Sequence, residues 1–141
     1  EGYLYLAIYG QKKVIIRPHF AMKPVFYEAN SLVRENSRQM SLVCGPLVYC
    51  LEEVDNGAQQ HMLYASPEAV EQAETYTLPF LGREAVGYQF AGFRKKANTD
   101  SAPLYYKAER EEYQPVTLKW IPYFAWANRE EGEMRVWIYK K

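Results

Sequence analysis

Two groups of carboxylates lie close enough in sequence to attempt acid–base chemistry. Glu52, Glu53 and Asp55 form one; Glu130, Glu131 and Glu133 form the other. Paired carboxylates flanking a glycosidic bond are the usual machinery of glycoside hydrolysis. That chemistry needs one carboxyl whose pKa is raised by an apolar flank. Both groups adjoin turn-forming sequence, Asp55-Asn56-Gly57 and the polar stretch around Gly132. Both are therefore expected on solvated tips, catalysing nothing. Cys44 and Cys50 are the two thiols. In one continuous strand they would lie ~20 Å apart, at ~3.3–3.4 Å per residue. A disulfide tolerates Cα atoms only within about 7 Å, so the two could meet only if Gly45-Pro46 folded the chain back sharply. They are expected as buried free thiols. Their spacing matches no zinc pattern, and His19 and His61 have no ligand-like neighbours. No glycine-rich phosphate loop and no Ser-His-Asp spacing occurs. No catalytic, cofactor-binding or metal-ligating residue is assigned.

Aromatic residues are the stronger signal: 13 Tyr, 6 Phe and 3 Trp in 141 residues. Amphipathic rings populate protein interfaces and serve as stacking platforms for sugars. Arg135, Trp137 and Tyr139 alternate onto one face of a strand-like segment, and Trp126 sits in the aromatic stretch 123–127. These four are the candidates for an interface or a sugar-stacking surface. Most other rings are expected to fill a core.

The elements that must position them read as strands. Residues 40–53 form the longest apolar, β-branched run, broken once by Gly45-Pro46. The pattern predicts two strands in one line, 40–44 and 47–52, buried on both faces, with a kink where the chain changes sheets. Further strands are expected at 2–9 and 13–17 as a hairpin through Gly10-Gln11-Lys12, then at 24–29, 76–80, 85–93, 104–107, 116–120 and 134–139. Segment 30–38, the connection 94–103 and the acidic stretch 109–112 are expected as exposed loops. Ser66-Pro67-Glu68 predicts the start of a short helix reaching about residue 74, since a hydroxyl cap, an early Pro and an acid all favour a helix N-terminus. Many short strands separated by Gly, Pro and polar turns predict an all-β fold, a β-sandwich of jelly-roll type with at most one or two short helices.

Composition narrows the function classes. Nearly half the residues are apolar (48%), which argues for a folded core. The formal net charge is zero, so no electrostatic case exists for nucleic acid or an anionic membrane as partner. No apolar run is long enough to span a bilayer. The chain starts at Glu1 and enters strand-like sequence almost at once. Residues 1–141 are expected to be a single domain, excised from a longer protein.

One resemblance is specific. Residues 45–52, Gly-Pro-Leu-Val-Tyr-Cys-Leu-Glu, followed by Val54-Asp55-Asn56, resemble a motif of glycoside hydrolase family 127, the β-L-arabinofuranosidase-like family. So do residues 121–129, Ile-Pro-Tyr-Phe-Ala-Trp-Ala-Asn-Arg, with Gly132-Glu133-Met134 and Val136-Trp137-Ile138. The two motifs keep the family's order and separation, and Gly2-Tyr3-Leu4 resembles the start of its post-barrel region. The chain departs from the pattern at Cys44, where the family often has Arg, and at Glu130-Glu131, where its tip is richer in Gly and Pro. The resemblance implies a bacterial parent with a catalytic α/α barrel, a cysteine nucleophile and a zinc site of neighbouring Cys and Glu. It places this chain after the barrel, in a β-sandwich region that lacks those motifs. No functional residue carries over, because Cys44 and Cys50 do not match the nucleophile. The expected role is a non-catalytic accessory domain that packs against the barrel in cis and supports a homodimer. The alternative is a carbohydrate-binding module. Bacterial cytoplasm is the expected compartment.

Overall fold

Period-two alternation over residues 86–91 and 116–120 marks the two longest strands. In the computed structural model, which describes residues 2–7, 9–10, 13–98, 102–108 and 110–141, these are β6 (Arg83–Lys95) and β7 (Tyr113–Pro122). They pair antiparallel from Tyr88↔Trp120 to Lys95↔Tyr113. The remaining strands are β1 (Pro24–Glu28), β2 (Gln39–Cys44), β3 (Leu47–Glu52), β4 (Leu63–Ala65), β5 (Glu74–Phe80), β8 (Met134–Arg135) and β9 (Trp137–Lys140). A one-turn helix α1 (Glu53–Asn56) and short 3-10 turns, among them Pro67–Gln72 and Tyr123–Ala125, connect them.

The fold is mostly β with few short helices, as composition and turn spacing predict. The ladders form one mixed sheet of nine strands, in the path β1-β2-β9-β4-β6-β7-β3-β8, with β5 on β6. A further β2–β3 pairing joins the path into a hydrogen-bonded ring. The β4–β9 pair is parallel and the other pairs are antiparallel. The ladders thus link all nine strands into one curled sheet.

Side chains leave β3, β6 and β7 on both faces into two apolar clusters. The larger holds Met40, Leu42, Leu51, Phe90, Leu118, Trp120 and Ile138; the smaller holds Cys50, Leu78, Ala85, Ile121 and Ala125. Adjacent Leu51 and Cys50, or Trp120 and Ile121, face opposite ways because a strand alternates its side chains. This is why residues 47–52 read as a near-continuous apolar run.

Several expected elements differ. Strands 40–44 and 47–52 do form, but they double back as a hairpin instead of running in line: Cys44 opposes Leu47 across Gly45-Pro46. Gly45 has φ +57°. Gly at positive φ followed by Pro, whose ring fixes φ near about −65°, is the type II′ combination that matches strand twist. Segments 2–9 and 13–17 hold no strand among their described residues and lie exposed. Gln11 and Lys12, in the expected turn of that hairpin, lie outside the described residues, as do Ile8, Thr99–Ser101 and Glu109. A strand pattern without a neighbouring edge gains no ladder bonds and does not form a sheet alone. Residues 104–107 are likewise exposed and irregular. The segment 134–139 splits at Val136 into β8 on β3 and β9 on β2. The helix starting at Ser66 is a 3-10 turn, and Ser66 makes no side-chain cap bond. Asp55-Asn56-Gly57 ends α1 with Gly57 at φ +75°.

Candidate functional site

The two carboxylate groups meet in space, and one of them is buried. Glu52 ends β3 with only 4% of its surface exposed, contrary to the expected solvated tip. The β3–α1 corner brings it under the loop that follows β7. There Ala127 N–H donates to Glu52 Oε1 (2.8 Å) and Arg129 Nε to Oε2 (3.2 Å). Arg129 Nη2 also donates to Glu52 Oε2 and, at 2.5 Å, to Asp55 Oδ2. These partners hold the guanidinium firmly protonated, against the opposing effect of its burial, with the Asp55 bond the largest cause. Three donors thus engage the Glu52 carboxylate, and one guanidinium bridges it to Asp55, which ties this corner together as a clamp.

The second group locks the same corner from below. Glu53 N–H donates to Glu133 O (2.9 Å), and Glu133 N–H returns a bond to Glu53 Oε2 (2.8 Å). Gln59 and Gln60 N–H donate to the two Glu133 carboxylate oxygens at 3.0 and 2.8 Å. Those backbone bonds, Gln60's first, hold the Glu133 carboxyl below the usual carboxylate range. Asn56 ties α1 to β7: its Nδ2 donates to Lys119 O (2.9 Å) and its Oδ1 accepts from Lys119 N–H (2.9 Å). Glu130 and Glu131 remain exposed, as expected. Sequence reasoning missed Arg129, Asn56 and Ala127 as members of the corner. Arg129 is a cation three residues past Trp126 facing two acids 74 and 77 positions away, which no local spacing reveals.

The cysteines are both buried and free. Cys44 belongs to the larger cluster, where its Sγ lies 3.3 Å from Tyr88 Oη; Cys50 belongs to the smaller one. Burial, with the Glu52 charge adding, pushes the Cys50 thiol up to about 12. Among the described residues no three His, Cys, Asp or Glu side chains converge on one point. The zinc implied for the parent therefore finds no fitting ligand set in them.

The four aromatic-site candidates divide. Arg135 lies over the Tyr139 ring (5.7 Å), and Tyr139 stacks on Tyr64 (5.4 Å, 28°). Tyr64 in turn meets Tyr113 edge to face. Trp137 shares that strand with Tyr139 and is half-buried, with no ring partner among the described residues. Trp126 stands apart from them, stacked on Tyr123 (6.1 Å, 26°). The rings thus mostly engage one another and form no single flat row. Among the described residues no helix is long and apolar enough to cross a membrane.

Comparison with known proteins agrees with this anatomy. The family description "Glycoside hydrolase family 127 C-terminal domain" matches residues 24–139. The chain is 35% identical over 139 residues to a non-reducing end β-L-arabinofuranosidase of Bifidobacterium longum, covering 96% of this chain and 21% of that protein. It superimposes with TM-score 0.77 and 36% identity on a GH127 β-L-arabinofuranosidase from Geobacillus stearothermophilus T6, covering 87% of this chain and 19% of that one. A second GH127 β-arabinofuranosidase gives TM-score 0.69 at 29% identity, with 87% and 18% covered. The chain spans about a fifth of the length of these relatives.

Proposed function

This chain belongs to glycoside hydrolase family 127, as a C-terminal domain, and from that premise we propose that it is a non-catalytic accessory domain of a larger hydrolase. In this reading residues 1–141 act as one unit, and the curled sheet is a β-sandwich of jelly-roll type. The parent hydrolyses β-L-arabinofuranosides or related plant-derived glycosides. The domain packs against a catalytic α/α barrel in cis and supports the pairing of two subunits. The observation that carries the reading is the clamp: Glu52, Asp55 and Arg129 are spent on holding one corner of the fold. Hydrolysis needs an activated nucleophile and an acid/base in fixed geometry. The thiol nearest the clamp, Cys50, is fully buried and held protonated.

A second reading, a carbohydrate-binding module, is favoured by the Arg135–Tyr139–Tyr64 stack beside a shallow groove that includes His61 and Tyr106. Two measurements decide between them. The chain alone, incubated with an aryl β-L-arabinofuranoside, releases no product above buffer. Calorimetry with arabinan-type oligosaccharides shows no binding tighter than millimolar. Turnover overturns the accessory reading, and micromolar binding lost on Tyr139→Ala transfers support to the module.

A further inference from the structure

Ala125, buried on the 3-10 turn Tyr123–Ala125, belongs to the smaller apolar cluster, against which Phe80 packs. The same turn directs its aromatics outward: Tyr123, Phe124 and Trp126 are 47%, 51% and 40% exposed. Phe124 meets Phe80 edge to face at 5.3 Å, which carries the surface onto the β5–β6 hairpin. At the tip of that hairpin stands Leu81, 80% exposed.

Two features show that this surface is held in place. Leu81 and Ala127, which bracket it, both adopt positive φ, +46° and +60°. The left-handed region is strained for a non-glycine L-residue, because its Cβ crowds the following carbonyl oxygen. A two-residue hairpin of this kind ordinarily carries Asn or Asp before its Gly; here Leu81 precedes Gly82, so strain is accepted to set an apolar side chain at the tip. Ala127 is pinned by its bond to buried Glu52, and Asn128 Nδ2 donates to Ala125 O and Trp126 O at 3.1 and 2.8 Å. Backbone outliers of this sort accumulate where a surface works. A rigid aromatic patch loses little entropy on being covered.

We infer that the surface formed by Leu81, Tyr123, Phe124 and Trp126 is the face on which the rest of the parent polypeptide docks. The inference rests on the accessory reading above and names its contact surface. The occupant follows from length: about four fifths of the relatives' sequence lies outside the matched region, while the buried clamp that fixes this face is internal to it. Contacts between domains of one chain resemble protein–protein interfaces, with aromatic anchors at their centre.

Hydroxyl-radical footprinting of the full-length polypeptide, referenced to the same polypeptide unfolded in urea, tests this. At the exposures seen here, 40% or more, Leu81, Phe124 and Trp126 would be protected less than about threefold. The docked face should instead show more than about tenfold protection, as interface cores exclude water, unchanged on dilution. Phe124→Ser with Leu81→Ser should return Trp126 to rapid labelling. Protection at the threefold level overturns the inference. If Tyr27, 58% exposed on β1, is then the strongly protected residue, docking uses another face and the accessory reading survives. If neither is protected, both fall. Protection that fades on dilution assigns the surface to a second copy and overturns docking in cis.

Discussion

At the scale of the residue, Glu52 and Arg129 govern this molecule. A buried carboxylate is tolerated only with its charge compensated and its oxygens bonded, and Glu52 has both. Arg129→Ala leaves that carboxylate buried with one backbone donor. Loss of one member of such a pair should lower stability by about 3 kcal/mol, read as a shift in the urea midpoint with an unchanged slope. A shift below a few tenths would show the clamp to be an exposed pair of little worth. Cys50 gives a second test. Its thiol, pushed up to about 12 from an ordinary 9.0, should react slowly with a thiol reagent in native buffer. The folded state keeps a proton that the unfolded chain releases above pH 9, so stability should fall as pH rises from about 9 through 12. Tyr49, also raised to about 12, mainly by burial, works in the same direction. Alkaline urea titrations of wild type and Cys50→Ala measure the thiol's share; identical slopes above pH 9 would remove it.

Among the elements, the β2–β3 hairpin and β6 are sensitive to a single added methyl group. Gly45→Ala places a Cβ at φ +57° and against the Met22 sulfur, a flexible end that can move aside. The remaining cost is the left-handed backbone, about 1–2 kcal/mol, and a substitution without effect on the melting temperature would contradict the type II′ turn. Gly87→Ala meets firmer neighbours: Trp120 O at 2.8 Å and the Tyr76 ring, whose hydroxyl donates to that same carbonyl (3.3 Å). Its cost should be about 1–3 kcal/mol through overpacking. Tyr76→Leu combined with Gly87→Ala should recover part of it, because the ring leaves the site; simple additivity would argue against the contact.

For the whole molecule, the prediction is spectroscopic. Far-UV circular dichroism of the chain should be dominated by β structure, since α1 contributes four residues and the other helical pieces are short 3-10 turns. A helix-dominated spectrum would refute the fold. The described residues of segments 2–9 and 13–17 hold no strand, so removing residues 1–20 should leave the melting temperature nearly unchanged. A large drop would show that they contribute ladder bonds after all.

The β class was decided by the sequence itself, because period-two alternation in β6 and β7 and apolar runs in β2 and β3 are local properties. So was family membership, carried by the two motifs at 45–56 and 121–138. The burial of residues 49–52 on both faces was also legible from the apolar run, whereas Leu47 and Val48 beside the turn are exposed. Ring closure was not: whether Gly45-Pro46 bends or reverses the chain depends on which edges are free to pair, and that is settled between strands distant in sequence. Nor could spacing show that Glu52 is buried, since its compensating cation stands 77 residues away. Strand patterns at 2–9 and 13–17 misled for the same reason: alternation states a preference for a sheet, and only the tertiary structure supplies, or withholds, the neighbouring edge.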